Sequence, residues 1–375
     1  VLTAVAVTNF KAFQQAEISI GPLTLLSGLN SSGKSTFLQA IALLRQSHDA
    51  GTLSPEDDTG GFLLNGELVE LGVGRDVRHE AWVPTDSNEG SIEITLTTGD
   101  GMNRWSADYG REDDLLLLNT GRTYLMWPHS LSLFDRGFQY LKADRITPAV
   151  SYPRSHEVAI RKGFLGSRGE HTVNFLRHHQ DEIIATTETR HPQEASPSLL
   201  GRTEAWLREL CPGVNLEATG IEGTDTVRLS YRFGTAGISS SNSYRPTNVG
   251  FGLTYVLPIV VACLTASPGS LILIENPEAH LHPRGQTAMA RLIANTVTSG
   301  AQVIVETHSD HVLNGIRVAV KQQILNPSDV TMHYFRQSNG AIEIVSPTVG
   351  PTGKLSAWPD GFFDEWDRLL DELID

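Results

Sequence analysis

Residues 25–44, "LLSGLNSSGKSTFLQAIALL", run from an apolar strand through a glycine-bounded polar loop into an apolar helix. Gly28, Gly33, Lys34 and Ser35 stand there at G-x-x-x-x-G-K-[ST] spacing, at the strand-to-helix turn where that pattern grips phosphate. Small residues let successive main-chain N–H groups curl around an oxyanion, and the helix N-terminus adds positive potential. Asn30, Ser31, Ser32, Gly33, Lys34, Ser35 and Thr36 are therefore the expected nucleotide-binding residues. Lys34 is expected to reach the terminal phosphates and Ser35 to ligate magnesium.

The rest of the chain says which kind of nucleotide protein this is. A GTPase would also carry an N-K-x-D base-reading segment, and none is present. The next acid at the end of an apolar strand is Glu275, in "LILIENPEAHLHP", 241 residues past Lys34. A carboxylate at that position would hold Mg2+ beside the P-loop only if two sequence-distant strands share one sheet, a split arrangement. ATP and Mg2+ are the expected ligands.

Composition bounds the other possibilities. With 375 residues, 40% of them hydrophobic, one elaborate domain or two lobes can be buried. No run approaches the roughly 18 apolar residues of a membrane span, and the N-terminus shows no basic segment followed by an apolar one. A cytoplasmic protein with no membrane partner is expected. Cys211 and Cys263 sit in apolar surroundings without a C-x-x-C pattern, so buried thiols are expected. The formal charge of -14 excludes a protein that coats nucleic acid with its whole surface. Residues 136–180 nevertheless carry eight basic and three acidic side chains, a local surplus that could meet DNA or be a solvated surface.

Along the chain, "LTAVAVTNF" and "AEISI" alternate like a strand pair, and "SIEITLTTGDGMNRWSADY" reads as a hairpin about Gly99, Asp100 and Gly101. Residues 150–218 turn polar and helical, with a flexible break at "HPQEASPSLLG" and no heptad run. After "TVRLSYRF" and a serine-rich loop, "GTAGISSSNSYRPTN", come a long apolar helix, the strand "SLILIE", a helix, the strand "AQVIVETHS" and another helix. Strands alternating with helices predict a mostly parallel sheet. In the final "WPDGFFDEWDRLLDELID", Phe362, Trp366, Leu369, Leu370 and Ile374 recur at helical spacing.

With "TNFKAF", the P-loop, "YLKADRITP", "LGSRGEHTVNFL", "NVGFGLTYVLPIVVACL", "IENPEAHLHPRGQ", "ETHSDHVLNGIR" and "WPDGFFDEW", the chain resembles the ABC-type ATPases of the SMC, RecF and OLD kind, and within them the compact ATPases of bacterial phage-defence systems. The resemblance implies an α/β, SMC-head-like P-loop fold with a mixed central sheet, an antiparallel β subdomain, a helical insertion and no long coiled coil. Its implied division is an N-terminal ATPase lobe at 1–150, a helical insertion at 151–225 and a C-terminal ATPase lobe at 226–375. Glu275 would be the magnesium-organising acid and His308 the histidine that senses the terminal phosphate. Residues 280–283 would cross a dimer interface, and residues 247–252, with Asn248 and Gly250, would cap ATP on the opposite copy. ATP would then join a homodimer.

Two departures stand out. Asn276 occupies the position where the group carries its general base, and an amide cannot accept a proton; Glu278 is the candidate substitute, and otherwise turnover is slow. "TNVGFG" replaces the usual signature loop, though Gly250 and Gly252 still permit close approach at a helix start. His280, His282, His308 and His311 lack the accompanying ligands of a zinc site. Arg145 is expected to meet phosphate or a partner or to form a structural salt bridge, while Gln46 and Gln139 are unplaced candidates for a nucleotide-sensing glutamine. Three readings follow: an ATP-driven homodimeric switch controlling a separate, nuclease-like effector; a RecF-like DNA repair clamp using the basic window; or a scaffold with a vestigial P-loop.

Overall fold

The computed structural model describes all residues except 54–58, 83–89, 127–130, 235–241, 339–340, 360, 364–371 and 374–375. Contacts divide the chain into two interleaved units: Val1–Asp135 with Thr331–Pro347 and Ala357–Phe362, and Arg136–Val330 with Thr348–Ser356 and Phe363–Asp375.

The first unit opens with β1 (Leu2–Phe10), β2 (Phe13–Ser19) and β3 (Leu23–Gly28), followed by α1 (Lys34–Asp49). After β4 (Gly61–Leu63) and the single turn α2 (Gly74–Val77) come β5 (Ile92–Thr98), β6 (Gly101–Ala107) and β7 (Leu115–Leu117). Strands β2, β1, β5 and β6 form an antiparallel sheet in that order. In β5, Ile92, Ile94 and Leu96 are buried while Glu93 and Thr95 are half-buried, the period-two pattern of a sheet with one face inward. The β5–β6 hairpin turns at Asp100, as its Gly-Asp-Gly sequence requires.

The second unit holds β8 (Phe138–Leu141), the two-residue β9 (Tyr152–Pro153), α3 (Thr172–His179) and α4 (Leu199–Arg208). Next come β10 (Val214–Gly220), β11 (Thr226–Phe233), α5 (Phe251–Thr265), β12 (Leu271–Glu275), α6 (Pro283–Thr298), β13 (Gln302–Glu306) and α7 (Asp310–Lys321). Strand β12 pairs in parallel with both β8 and β13. Leu271, Ile272, Leu273, Ile274, Val303, Ile304 and Val305 are completely buried, as expected of parallel strands covered on both faces. Helix α5 is apolar all round and therefore lies inside; every residue from Leu253 to Leu264 is buried. Its internal Pro258 is accommodated by Gly169, whose φ is +74° and where a Cβ would stand 2.3 Å from the proline ring.

Chain then returns to the first unit as β14 (Val330–Ser338) and β15 (Ala341–Val345), an antiparallel pair lying beside β3 in the order β15, β14, β3. Parallel and antiparallel pairings together make this a mixed α/β protein. Among the described residues the longest helices, α1 and α6, have 16 residues, so no long coiled coil is present and none is long and apolar enough to cross a membrane.

The stretch at 150–218 is less helical than its polar pattern suggests. Helices α3 and α4 are short, and Pro192 and Pro197 lie in the segment between them. That segment is anchored: buried His191 approaches Glu209 at 3.0 Å, Glu194 pairs with Arg202 at 3.0 Å, and Trp206 donates to the Thr189 carbonyl. Cys263 is buried, its thiol pushed up to about 12 by that burial, but Cys211 is only partly covered. Phe362 packs edge-on against Tyr334 and Trp358, while the rest of the expected C-terminal apolar stripe, Trp366, Leu369, Leu370 and Ile374, lies outside the described residues, as do residues 235–241 of the serine-rich loop.

Candidate functional site

In the first unit, β3 delivers the chain to the P-loop and α1 carries it away. Gly28 has φ +141°, and a Cβ there would lie 2.2 Å from the Phe335 carbonyl oxygen on β14. Gly33 has φ +100°, and its Cβ would lie 2.9 Å from both the Phe13 ring and Ile342 on β15. Both positions therefore demand glycine, for conformation and for space. Ser31 is also left-handed, at φ +62°, so Ser31 and Gly33 bracket a concavity of main-chain N–H groups of the kind that receives anions. Lys34 is 3% exposed, and its ammonium donates to the carbonyls of Gly28 (3.1 Å) and Leu29 (2.8 Å). No acid occupies the first turn of α1 itself. Ser32 Oγ is buried without a hydrogen-bond partner among the described residues. A glycine cradle, a helix N-terminus, a buried ammonium and an unmatched hydroxyl are the groups a triphosphate requires. Asn30 and Thr36 flank this loop, and Ser35 faces outward.

In the second unit, Glu275 ends β12 with both carboxylate oxygens held. Oε1 accepts from the Tyr140 hydroxyl at 2.5 Å, and Oε2 from the Ala143 N–H at 3.0 Å. Burial and then the neighbouring carboxylate push the Tyr140 phenol well above its ordinary range, so it stays a proton donor. Asn276 follows at φ +45°, its N–H bonded to the Glu306 carbonyl. Glu278 also has both oxygens in use: one accepts from the Thr307 hydroxyl and the other from the His308 N–H, each at 2.8 Å. Glu275, Glu278 and His308 are thus brought together by β12, the turn after it, and the end of β13. Ser309 then caps α7, accepting from Val312 N and donating to Gln286.

Asn248 closes a 3-10 turn, and Gly250 leads into α5. A Cβ on Gly252 would stand 2.6 Å from the His280 carbonyl, so this glycine lets α5 approach residues 280–282. A cavity of about 780 Å3 lies here, with Asn248, Gly250, His280 and Arg284 among its lining. His282 Nδ1 accepts from Arg284 N and starts α6, His280 lies against aromatic rings, and His311 is half-buried beside Asp310.

Arg145 is buried and donates to main-chain carbonyls, and among the described residues no carboxylate pairs with it. Gln46 and Gln139 are buried structural amides, Gln46 serving the main chain at Leu63, Leu68 and Val69 and Gln139 that at Gly163 and Leu165. Within the basic window Arg145 is buried, Arg161 pairs with Glu157 and Arg168 pairs with Asp144. Tyr140, Tyr255 and Thr307 went unnoticed. The short apolar run "FQYL" at the start of the basic window is the one sign of Tyr140 in the sequence.

Three family models match parts of the chain: "AAA ATPase domain" over residues 1–95, "AAA domain, putative AbiEii toxin, Type IV TA system" over 220–314, and "Protein of unknown function (DUF3696)" over 325–373. No curated protein sequence is significantly similar to the chain. Solved structures similar to it include an SMC head bound to the C-winged helix domain of ScpA, at 14% identity and TM-score 0.48, covering 92% of this chain and 98% of that one. Others are the SMC head domain from Thermotoga maritima (14%, 0.44, 92% and 98%) and an SMC head with an extended coiled coil bound to the C-terminal domain of ScpA derived from Pyrococcus furiosus (13%, 0.46, 100% and 99%). One of the two ATPase models matches the stretch that holds the P-loop, and the other the stretch that holds Asn248, Glu275, Glu278 and His308.

Proposed function

We propose that the chain is the ATPase component of a bacterial antiphage defence system, a homodimeric switch that binds ATP, hydrolyses it slowly and controls a separate, nuclease-like effector protein. The observation that carries the nucleotide half of this reading is the P-loop cradle, with Lys34 buried beneath it and Ser32 Oγ unmatched. The defence half is supported by the AbiEii description of the model matched at 220–314.

In this reading the main-chain N–H groups at 30–36 and the Lys34 ammonium bind the phosphates of ATP. Ser35 and Glu275 would hold Mg2+, which when bound neutralises charge developing on the transferred phosphoryl group. Tyr140 and Ala143 orient the Glu275 carboxylate for that task. Asn276 cannot take a proton from water, and Glu278 would either supply that function or, through its bonds to Thr307 and His308, orient the histidine. Asn248 and Gly250 would cap the nucleotide of the other copy.

Lys34→Ala tests the proposal. Binding of a fluorescent ATP analogue should weaken at least about a hundredfold, the loss of a charge-assisted phosphate contact in a buried site. Light scattering should find an ATP-dependent dimer in the parent and none in the variant. A variant that binds and dimerises like the parent would remove the P-loop from the account. Duplex DNA binding in the submicromolar range that falls steeply with salt would replace the switch by a RecF-like clamp.

A further inference from the structure

A cation is buried in the second unit where three segments meet. Arg145 is 1% exposed, and its donors go to main-chain carbonyls: Nε to Tyr255 (3.2 Å), Nη1 to Lys142 (2.9 Å) and Glu275 (2.5 Å), and Nη2 to Asn276 (2.7 Å). Those carbonyls belong to the turn after β8, to α5 and to the end of β12. Among the described residues no carboxylate pairs with it. Burial draws the guanidinium down to about 10, a measure of how unfavourable the position is for charge. An apolar side chain could fill such a space at less cost, so what the arginine adds is geometry, a planar fork that fixes several carbonyls relative to one another.

The same group touches a path of aromatic rings. The guanidinium carbon lies 4.3 Å from the Tyr255 ring centre, and the Tyr255 hydroxyl donates to the Ala143 carbonyl. Tyr255 packs against His280 with ring centres 4.8 Å apart, and His280 against Phe251 at 4.5 Å. Phe251 is the first residue of α5 and is 37% exposed. One contiguous set of contacts therefore runs from the outer end of α5 to the carbonyls of Glu275 and Asn276. The turn that receives it is strained, with Asn276 at φ +45° and His280 at φ +61°, a conformation that persists only where its surroundings hold it.

We propose that Arg145 is a positioning residue through which the first turn of α5 sets the conformation of residues 275–280, so that a ligand seated at Asn248, Gly250 and Phe251 is felt at Glu275 and Glu278. Its use in an ATP switch rests on the reading above; the mechanical link does not, and it can be read without nucleotide.

Hydrogen exchange by mass spectrometry on the full, nucleotide-free chain tests it. Phe251→Leu alters the exposed end of the path, and Arg145→Lys shortens the fork. Each should speed exchange in peptides spanning 275–282 by about tenfold, the size of a typical coupling between sites, and leave α1 unchanged. The double variant should be no faster than Arg145→Lys alone, because both changes cut one path. Effects of Phe251→Leu confined to 249–255, or a multiplicative double variant, would overturn the proposal. Should Arg145→Lys not fold, Phe251→Leu still decides between spread and confinement. Nucleotide binding by the Lys34 variant bears on the ATP reading alone, so the two can fail separately.

Discussion

His333 on β14 has both ring nitrogens engaged, Nδ1 with Ser346 Oγ and Nε2 with the Ser19 carbonyl, each at 2.7 Å. A carbonyl only accepts, so Nε2 carries a proton. Burial lowers its affinity for a second proton, with the Ser19 bond opposing in part. The unfolded chain therefore takes up a proton near the ordinary imidazole value of about 6.5 while the folded chain does not. Stability is fully retained above that pH and falls as the solution is acidified toward the lower, folded value. Thermal melts between pH 7.5 and 5.5 should show this loss, and His333→Gln should flatten it; an unchanged slope would remove His333 as its source.

At the scale of elements, the P-loop's shape depends on strands far away in sequence. Gly28 is pressed against β14 and Gly33 against Phe13 and β15. Gly28→Ala should destabilise the protein by roughly 3 kcal/mol or more, from a left-handed φ and a contact with rigid backbone together, as read by chemical denaturation. A cost under about 0.5 kcal/mol would show that β14 yields there. These dependences also explain what could be read from the sequence. Helix α1, the β1–β2 pair, the β5–β6 hairpin and the β12–α6–β13–α7 succession were legible because each carries its own period or continuous apolar run. Strand β8, four buried residues long, is too short for a period, and β14 interleaves His333 and Arg336 with its apolar residues. P-loop, Glu275 and His308 announce themselves by motif. The partners that aim them, Tyr140, Thr307 and Arg145, do not, because a hydrogen bond to a main-chain carbonyl or a distant carboxylate leaves no spacing in the chain.

For the molecule as a whole, the interleaving of the two units matters most. The first unit is begun by Val1–Asp135 and completed by Thr331–Pro347, after the chain has passed through most of the second. A chain ended after Val330 should therefore lose protection across 1–135 in limited proteolysis and lose nucleotide binding, although every residue of the P-loop is present. Retained binding would mean that β14 and β15 are dispensable covers. The same arrangement sets an order of events during synthesis. Phe335, the residue against which Gly28 closes, is translated 307 residues after it. At about 5–20 residues per second that is an interval of roughly 15–60 s in which a nascent chain carries the glycine loop without the strand that confines it.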